Sequence, residues 1–114
     1  MRSILLAVAI GAFSTGCATT SNPQAIQDAS LQKFAYANCL MWYFESKGFD
    51  SEDIRAISGG IVETSDISLE VFQEIALTVK DYQPNLQTKH GIDINLLRCF
   101  HLDESEKLIE LYAK

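Results

Sequence analysis

Residues 31–47 read LQKFAYANCLMWYFESK, and between Phe34 and Phe44 only Asn38 is a conventional polar residue. Positions 31, 34, 35, 38, 41, 42 and 45 trace one helical face at the 3.6-residue period. Apolar side chains spill beyond that stripe onto Ala37, Leu40, Tyr43 and Phe44. A helix apolar almost all round is buried on several sides, so other helices must wrap it. This helix is the hub of an all-α fold: a compact bundle of four to five helices around a buried first helix.

Upstream, Asn22-Pro23 is a helix start, a capping side chain followed by proline at the first helical position. Residues 19–30 therefore read as a tether or as the start of helix 1, with Asp28 to Ser30 marking a restart in the first case. Before them the chain has the grammar of an exported protein. Arg2 supplies a positive n-region and residues 4–13, ILLAVAIGAF, are an apolar run. That run is too short for a bilayer, which needs roughly 20 residues, so residues 1–18 read as a signal peptide. Ser-Thr-Gly-Cys resembles a lipobox, which makes Cys17 the lipid attachment site, although Ser14 stands where Leu is usual. The rival is ordinary cleavage after Ala18. Either route sends a helical domain, residues 31–114, into the bacterial periplasm, and Ala18 after Cys17 suits the outer membrane better than the inner.

All 15 acidic residues lie beyond the signal, and only Arg2 of the 9 basic residues lies within it. The exported chain thus carries a net charge of −7. Nucleic acid and anionic membrane surfaces repel such a chain.

Downstream, Gly48 fits the left-handed stop of helix 1. Asp50-Ser51-Glu52-Asp53 opens helix 2 with a cap and acids suited to the positive end of the dipole. Ile54, Ile57 and Ile61 form its stripe; with Gly59-Gly60 inside it, either it ends near Ser58 or, the favoured reading, it continues to about Thr64 and the glycines permit close packing on helix 1. Ser68 caps helix 3, residues 69–82, whose face carries Phe72, Ile75, Ala76, Val79 and Tyr82. Residues 82–91, YQPNLQTKHG, are polar around an isolated Leu86 and hold the turn-formers Pro84, Asn85 and Gly91. A loop of this length in a compact domain is more often functional than a short one. Helix 4 is expected over residues 93–102, and Asp103 and Glu106 read as the capping box of a final helix.

Two cysteines remain once Cys17 is lipidated or removed. In an oxidising compartment such a pair is expected as a disulfide, here Cys39–Cys99, closing a loop of about 60 residues worth roughly 4 kcal/mol in the chain-entropy model. A zinc site from Cys39, Cys99, His90 and His101 lacks the usual ligand spacing. A cysteine nucleophile needs an exposed, activated thiol, and both cysteines sit in apolar surroundings. No Gly-rich phosphate loop and no HExxH occurs. The reading is a non-enzyme with no metal and no cofactor.

Four short runs then point to a family: ANCL at 37–40, KDY at 80–82, LLRCFHL at 96–102 and SEKLI at 105–109. In their order and spacing over residues 31–113 the chain resembles the type VI secretion amidase immunity proteins. His101 and Leu102 stand where family members carry an aspartate and a tyrosine, which bears on the effector recognised more than on the fold. The resemblance implies a homodimer that inhibits a cysteine-peptidase-type peptidoglycan amidase by occlusion. A protruding loop enters the groove of an enzyme that cuts the D-glutamyl–diaminopimelate bond. In this chain the loop is 82–91, with Gln83, Asn85, Gln87, Lys89 and His90 as contacts and Leu86 as an apolar anchor. The alternatives are a plain solvated connector for the loop and a structural or adaptor envelope lipoprotein for the chain.

Overall fold

The computed structural model describes residue 11 and residues 22–114; the signal peptide and Cys17 lie outside the described residues. Among the described residues five α-helices and one 3₁₀ segment follow in order: α1 Pro23–Lys47, α2 Glu52–Glu63, α3 Leu69–Asp81, α4 Ile94–Leu97, the 3₁₀ segment Arg98–Glu104, and α5 Glu106–Tyr112.

The hub is α1, which touches each of the other elements. Its start is the Asn22-Pro23 signal, with the Asn22 side chain accepting from the Gln24 amide at 3.0 Å. It runs unbroken through residues 28–30, so no separate tether precedes it within the described residues. It ends at Gly48, whose φ of 71° is open to glycine at no steric cost. The amides of Gly48 and Phe49 bond back to the carbonyls of Glu45 and Phe44, the paired geometry of a Schellman stop.

The core joins Leu31, Phe34, Ala35 and Cys39 of α1 to Phe72, Ile75 and Val79 of α3. Cys99 and Leu102 of the 3₁₀ segment and Leu108, Leu111 and Tyr112 of α5 complete it. Phe34 meets Phe72 edge-on, with centroids 4.8 Å apart, a geometry that the ring quadrupoles favour. The disulfide Cys39–Cys99 passes through this core with Cα atoms 5.5 Å apart, tying α1 to the 3₁₀ segment.

The second helix differs from its sequence reading. Ile57 is 60% exposed, and Ser58 takes the inward place. There the buried Asn38 amide donates to Ser58 Oγ at 3.2 Å and to the Phe34 carbonyl at 3.1 Å. A buried amide without partners is costly, so the one polar side chain that α1 buries selects the face that α2 presents. Arg55 adds an ion pair to Glu45 of α1. The helix does continue through Gly59-Gly60 to Glu63, yet a Cβ at either glycine would meet nothing within 4 Å. The glycines therefore do not serve a close approach. Gly59→Ala is expected to stabilise the fold by about 0.5–1 kcal/mol through helix propensity and unfolded-state entropy; a urea midpoint that falls instead would show a contact at this position.

The expected fourth helix, residues 93–102, is only one α-turn, and the chain then tightens into the 3₁₀ segment. Two consecutive side chains, Arg98 and Cys99, are drawn inward to fixed partners, and the run breaks at His101 (φ −118°, ψ 15°). The cap of α5 is consequently Ser105, not Asp103: Ser105 is extended (φ −80°, ψ 111°) and its Oγ accepts from the Leu108 amide, whereas Asp103 lies inside the 3₁₀ segment. The last helix turns Leu108, Leu111 and Tyr112 into the core and leaves Ile109 half exposed.

Candidate partner-binding loop

Between α3 and α4, residues 82–93 hold neither helix nor strand. The stretch begins where α3 runs out of apolar positions, and Pro84 and Gly91 keep helix from re-forming. Exposure alternates along it: Gln83, Asn85, Gln87 and Lys89 face solvent, and Tyr82, Pro84, Leu86 and Thr88 are half-buried. Period-two exposure is the mark of an extended segment lying along a surface. His90 is exposed at the far end, and Gly91 turns the chain with a φ of 66°. The outward set thus contains five of the six residues named from sequence. Leu86 points the other way, half-covered against the domain.

Both ends are pinned. At the first, the Arg98 guanidinium reaches back to α3, with Nη1 donating to the carbonyls of Val79 at 2.7 Å and Tyr82 at 3.2 Å. Both carbonyls lie at the helix end, where the last carbonyls run out of intrahelical partners; that of Val79 takes the Tyr82 amide at 3.3 Å as well, and Arg98 acts as a C-terminal cap from 16 residues beyond Tyr82. The Tyr82 hydroxyl in turn donates to the His101 carbonyl at 2.8 Å. Burial pushes the Tyr82 phenol above its ordinary value, helped by Glu104 and Asp103, so it stays a donor across the neutral range.

At the second end, Asp93 caps α4 through the Asn95 amide at 2.8 Å and pairs with Lys47 of α1 at 2.6 Å. The Lys47 hydrogen bond, followed by the Asn95 amide, holds the Asp93 carboxyl below its ordinary 3.8. The same Asp93 hydrogen bond raises Lys47. A depressed carboxyl contributes stability that is complete above its unfolded pKa and is lost as pH falls through the folded one. The tether of this loop end is therefore expected to contribute fully above about pH 4 and to be lost as pH falls further, through the depressed Asp93 value. In Lys47→Gln the Asp93 midpoint, followed by carboxyl NMR, is expected to climb towards 3.8; an unmoved midpoint would mean the ion pair does not form.

The remaining sequence candidates fall elsewhere. Cys39 and Cys99 are consumed in the disulfide, so neither supplies a thiolate. His101 Nδ1 lies 2.7 Å from Glu104 Oε2, away from His90. Among the described residues no group of three or more His, Cys, Asp or Glu side chains is placed to hold a metal ion, and no helix is long and apolar enough to cross a membrane. Sequence reasoning missed Arg98 and Asp93, which position the loop without being part of its outward face. An Asp directly before an apolar run is a favoured N-cap and a visible signal for Asp93; nothing local announced the reach of Arg98.

The chain presents a helical scaffold, locked by one disulfide, that holds an extended polar loop at both ends. No curated protein and no solved structure matches it. A family model does: Tai4, described as type VI secretion system (T6SS), amidase immunity protein, matches residues 29–112, from the first turns of α1 to the end of α5 and through the whole loop. With that match across most of its length, the chain belongs to the Tai4 family of type VI secretion system amidase immunity proteins.

Proposed function

We propose that this protein inhibits its amidase by occlusion, laying the loop 82–93 in the active-site groove of a type VI secreted peptidoglycan amidase of the cysteine-peptidase type. The observation that carries this reading is the loop itself. It is extended, pinned at Tyr82 and Asp93, and directs Gln83, Asn85, Gln87, Lys89 and His90 outward. Pre-ordering of this kind reduces the entropy lost on binding, and amide side chains suit a peptide-binding groove because they donate and accept at once. Leu86 is the apolar anchor, turning out of its half-covered site in the complex. The inhibitor contributes no chemistry of its own.

The setting follows from the same reading. The protein acts in the periplasm, where the amidase would reach its substrate, and Cys17 carries a lipid that anchors it there. It works as a homodimer. Exposed aromatics support this, notably Tyr36 and the 62% exposed Phe100, stacked edge-on at 5.7 Å on one side of the bundle.

The test is a block substitution of the outward residues, Gln83, Asn85, Gln87, Lys89 and His90, to alanine. Surface changes of this type move stability little, so the variant is expected to melt with the wild type while its affinity for the amidase falls at least about 100-fold, as for loss of an interface centre. Full inhibition by the variant would place the inhibitory surface elsewhere.

A further inference from the structure

Beside the loop lies a cleft of about 560 Å³ lined by Lys80, Gln83, Pro84, Asn85, Ile94, Asn95 and Arg98. Its chemistry runs against the rest of the molecule. The chain is strongly acidic, yet the walls carry two cations, three side-chain amides and no carboxylate. Lys80 is held on one wall by the Trp42 ring, 5.0 Å from its centroid. Arg98 is only 7% exposed, and among the described residues no carboxylate lies within ion-pairing distance of it. Burial lowers its pKa below the ordinary value, the mark of a guanidinium stripped of part of its water without an anion in exchange.

The geometry of Arg98 is specific. Nη1 is spent on the Val79 and Tyr82 carbonyls, and the Nε and Nη2 edge takes no acceptor from the described residues. That edge is not sealed: the one buried side-chain donor without a partner among the described residues is Trp42 Nε1. Arg98 is itself one of the residues that line the cleft. Two parallel N–H groups on a rigid fork match the two oxygens of a carboxylate.

We infer that this cleft is a carboxylate-binding subsite, in which the free edge of Arg98, backed by Lys80 and the Asn95 and Asn85 amides, receives an aspartate or glutamate side chain of the bound amidase. The subsite rests on the immunity reading. It adds to the occluding loop a second, charge-selective contact, since Gln83, Pro84 and Asn85 belong to both loop and cleft wall. A partner whose groove accepts the loop passes over the cleft, and a desolvated ion pair rejects partners lacking the acid.

Arg98 also caps α3, so its own replacement would blur folding with binding. Asn95→Asp avoids that: it is nearly isosteric, sits in the first turn of α4 where acids are favoured, and places a carboxylate one helical turn from Arg98. The processed protein, purified from the envelope of producing cells, is titrated into the amidase by calorimetry. The wild type is expected to bind tightly, Asn95→Asp at least about tenfold more weakly, and Gln73→Glu, an exposed acid on α3 outside the cleft, like the wild type. Lys80→Gln is expected to weaken binding in the same direction, and added salt to weaken the wild type more than Asn95→Asp. Equal affinity of wild type and Asn95→Asp, with the immunity function intact, overturns the subsite alone. A wild type that does not bind overturns the immunity reading and the subsite together.

Discussion

Removing the Cys39–Cys99 bridge, as Cys39→Ala with Cys99→Ala, is expected to lower the thermal midpoint by about 20 °C. The two cysteines are 60 residues apart, and a loop of that length stabilises by roughly 4 kcal/mol through the entropy it removes from the unfolded chain. In a domain of this size each kcal/mol is worth about 4–8 °C. Both positions are almost fully buried, so the lost sulfur contacts add to the effect, and alanine avoids burying a new hydroxyl. Reductant added to the wild type is expected to reproduce most of the shift. Function should fall with stability, because Cys99 neighbours Arg98, and Arg98 holds the first end of the loop. A shift under about 5 °C would mean that helix packing alone maintains the fold.

Phe72→Ala is expected to be nearly as severe, at about 3–5 kcal/mol. Among the described residues Phe72 is the largest fully buried side chain, 1% exposed; it meets Phe34 of α1 edge-on. Deleting the ring removes transfer energy and leaves a cavity that two anchored helices cannot close. Since small domains hold only about 5–15 kcal/mol in all, the variant should be close to unfolding at ambient temperature. Leu77→Ala is the internal comparison. It lies on the same helix, 63% exposed, and should change stability by no more than about 0.5 kcal/mol. Urea titrations with similar losses for both would contradict the assigned core.

These effects follow from features that the chain declares locally. The hub helix is legible because apolarity, an Asn-Pro start and a glycine stop agree, and α3 because its stripe and the Ser68 cap agree. Features that depend on tertiary partners are not. Ile57 fits a helical stripe as well as Ser58 does; the choice is made by Asn38, 20 residues earlier, whose amide must be satisfied. The fourth helix has the composition of a longer α-helix and is shortened by an arginine cap and a disulfide that act across the fold. The loop was readable as a break in helical pattern and its outward residues as polar. Its extended form and the inward turn of Leu86 are not written in the local sequence, and the clamps at its ends come from partners distant in the chain, Arg98 with Tyr82 at one and Lys47 with Asp93 at the other.

The most direct test is to titrate the processed protein into a type VI amidase encoded in the same genome while following peptidoglycan cleavage. Occlusion by the pinned loop predicts stoichiometric loss of activity, with no added metal and no turnover of substrate by this protein. Cleavage that continues at full rate in the presence of micromolar protein would contradict it.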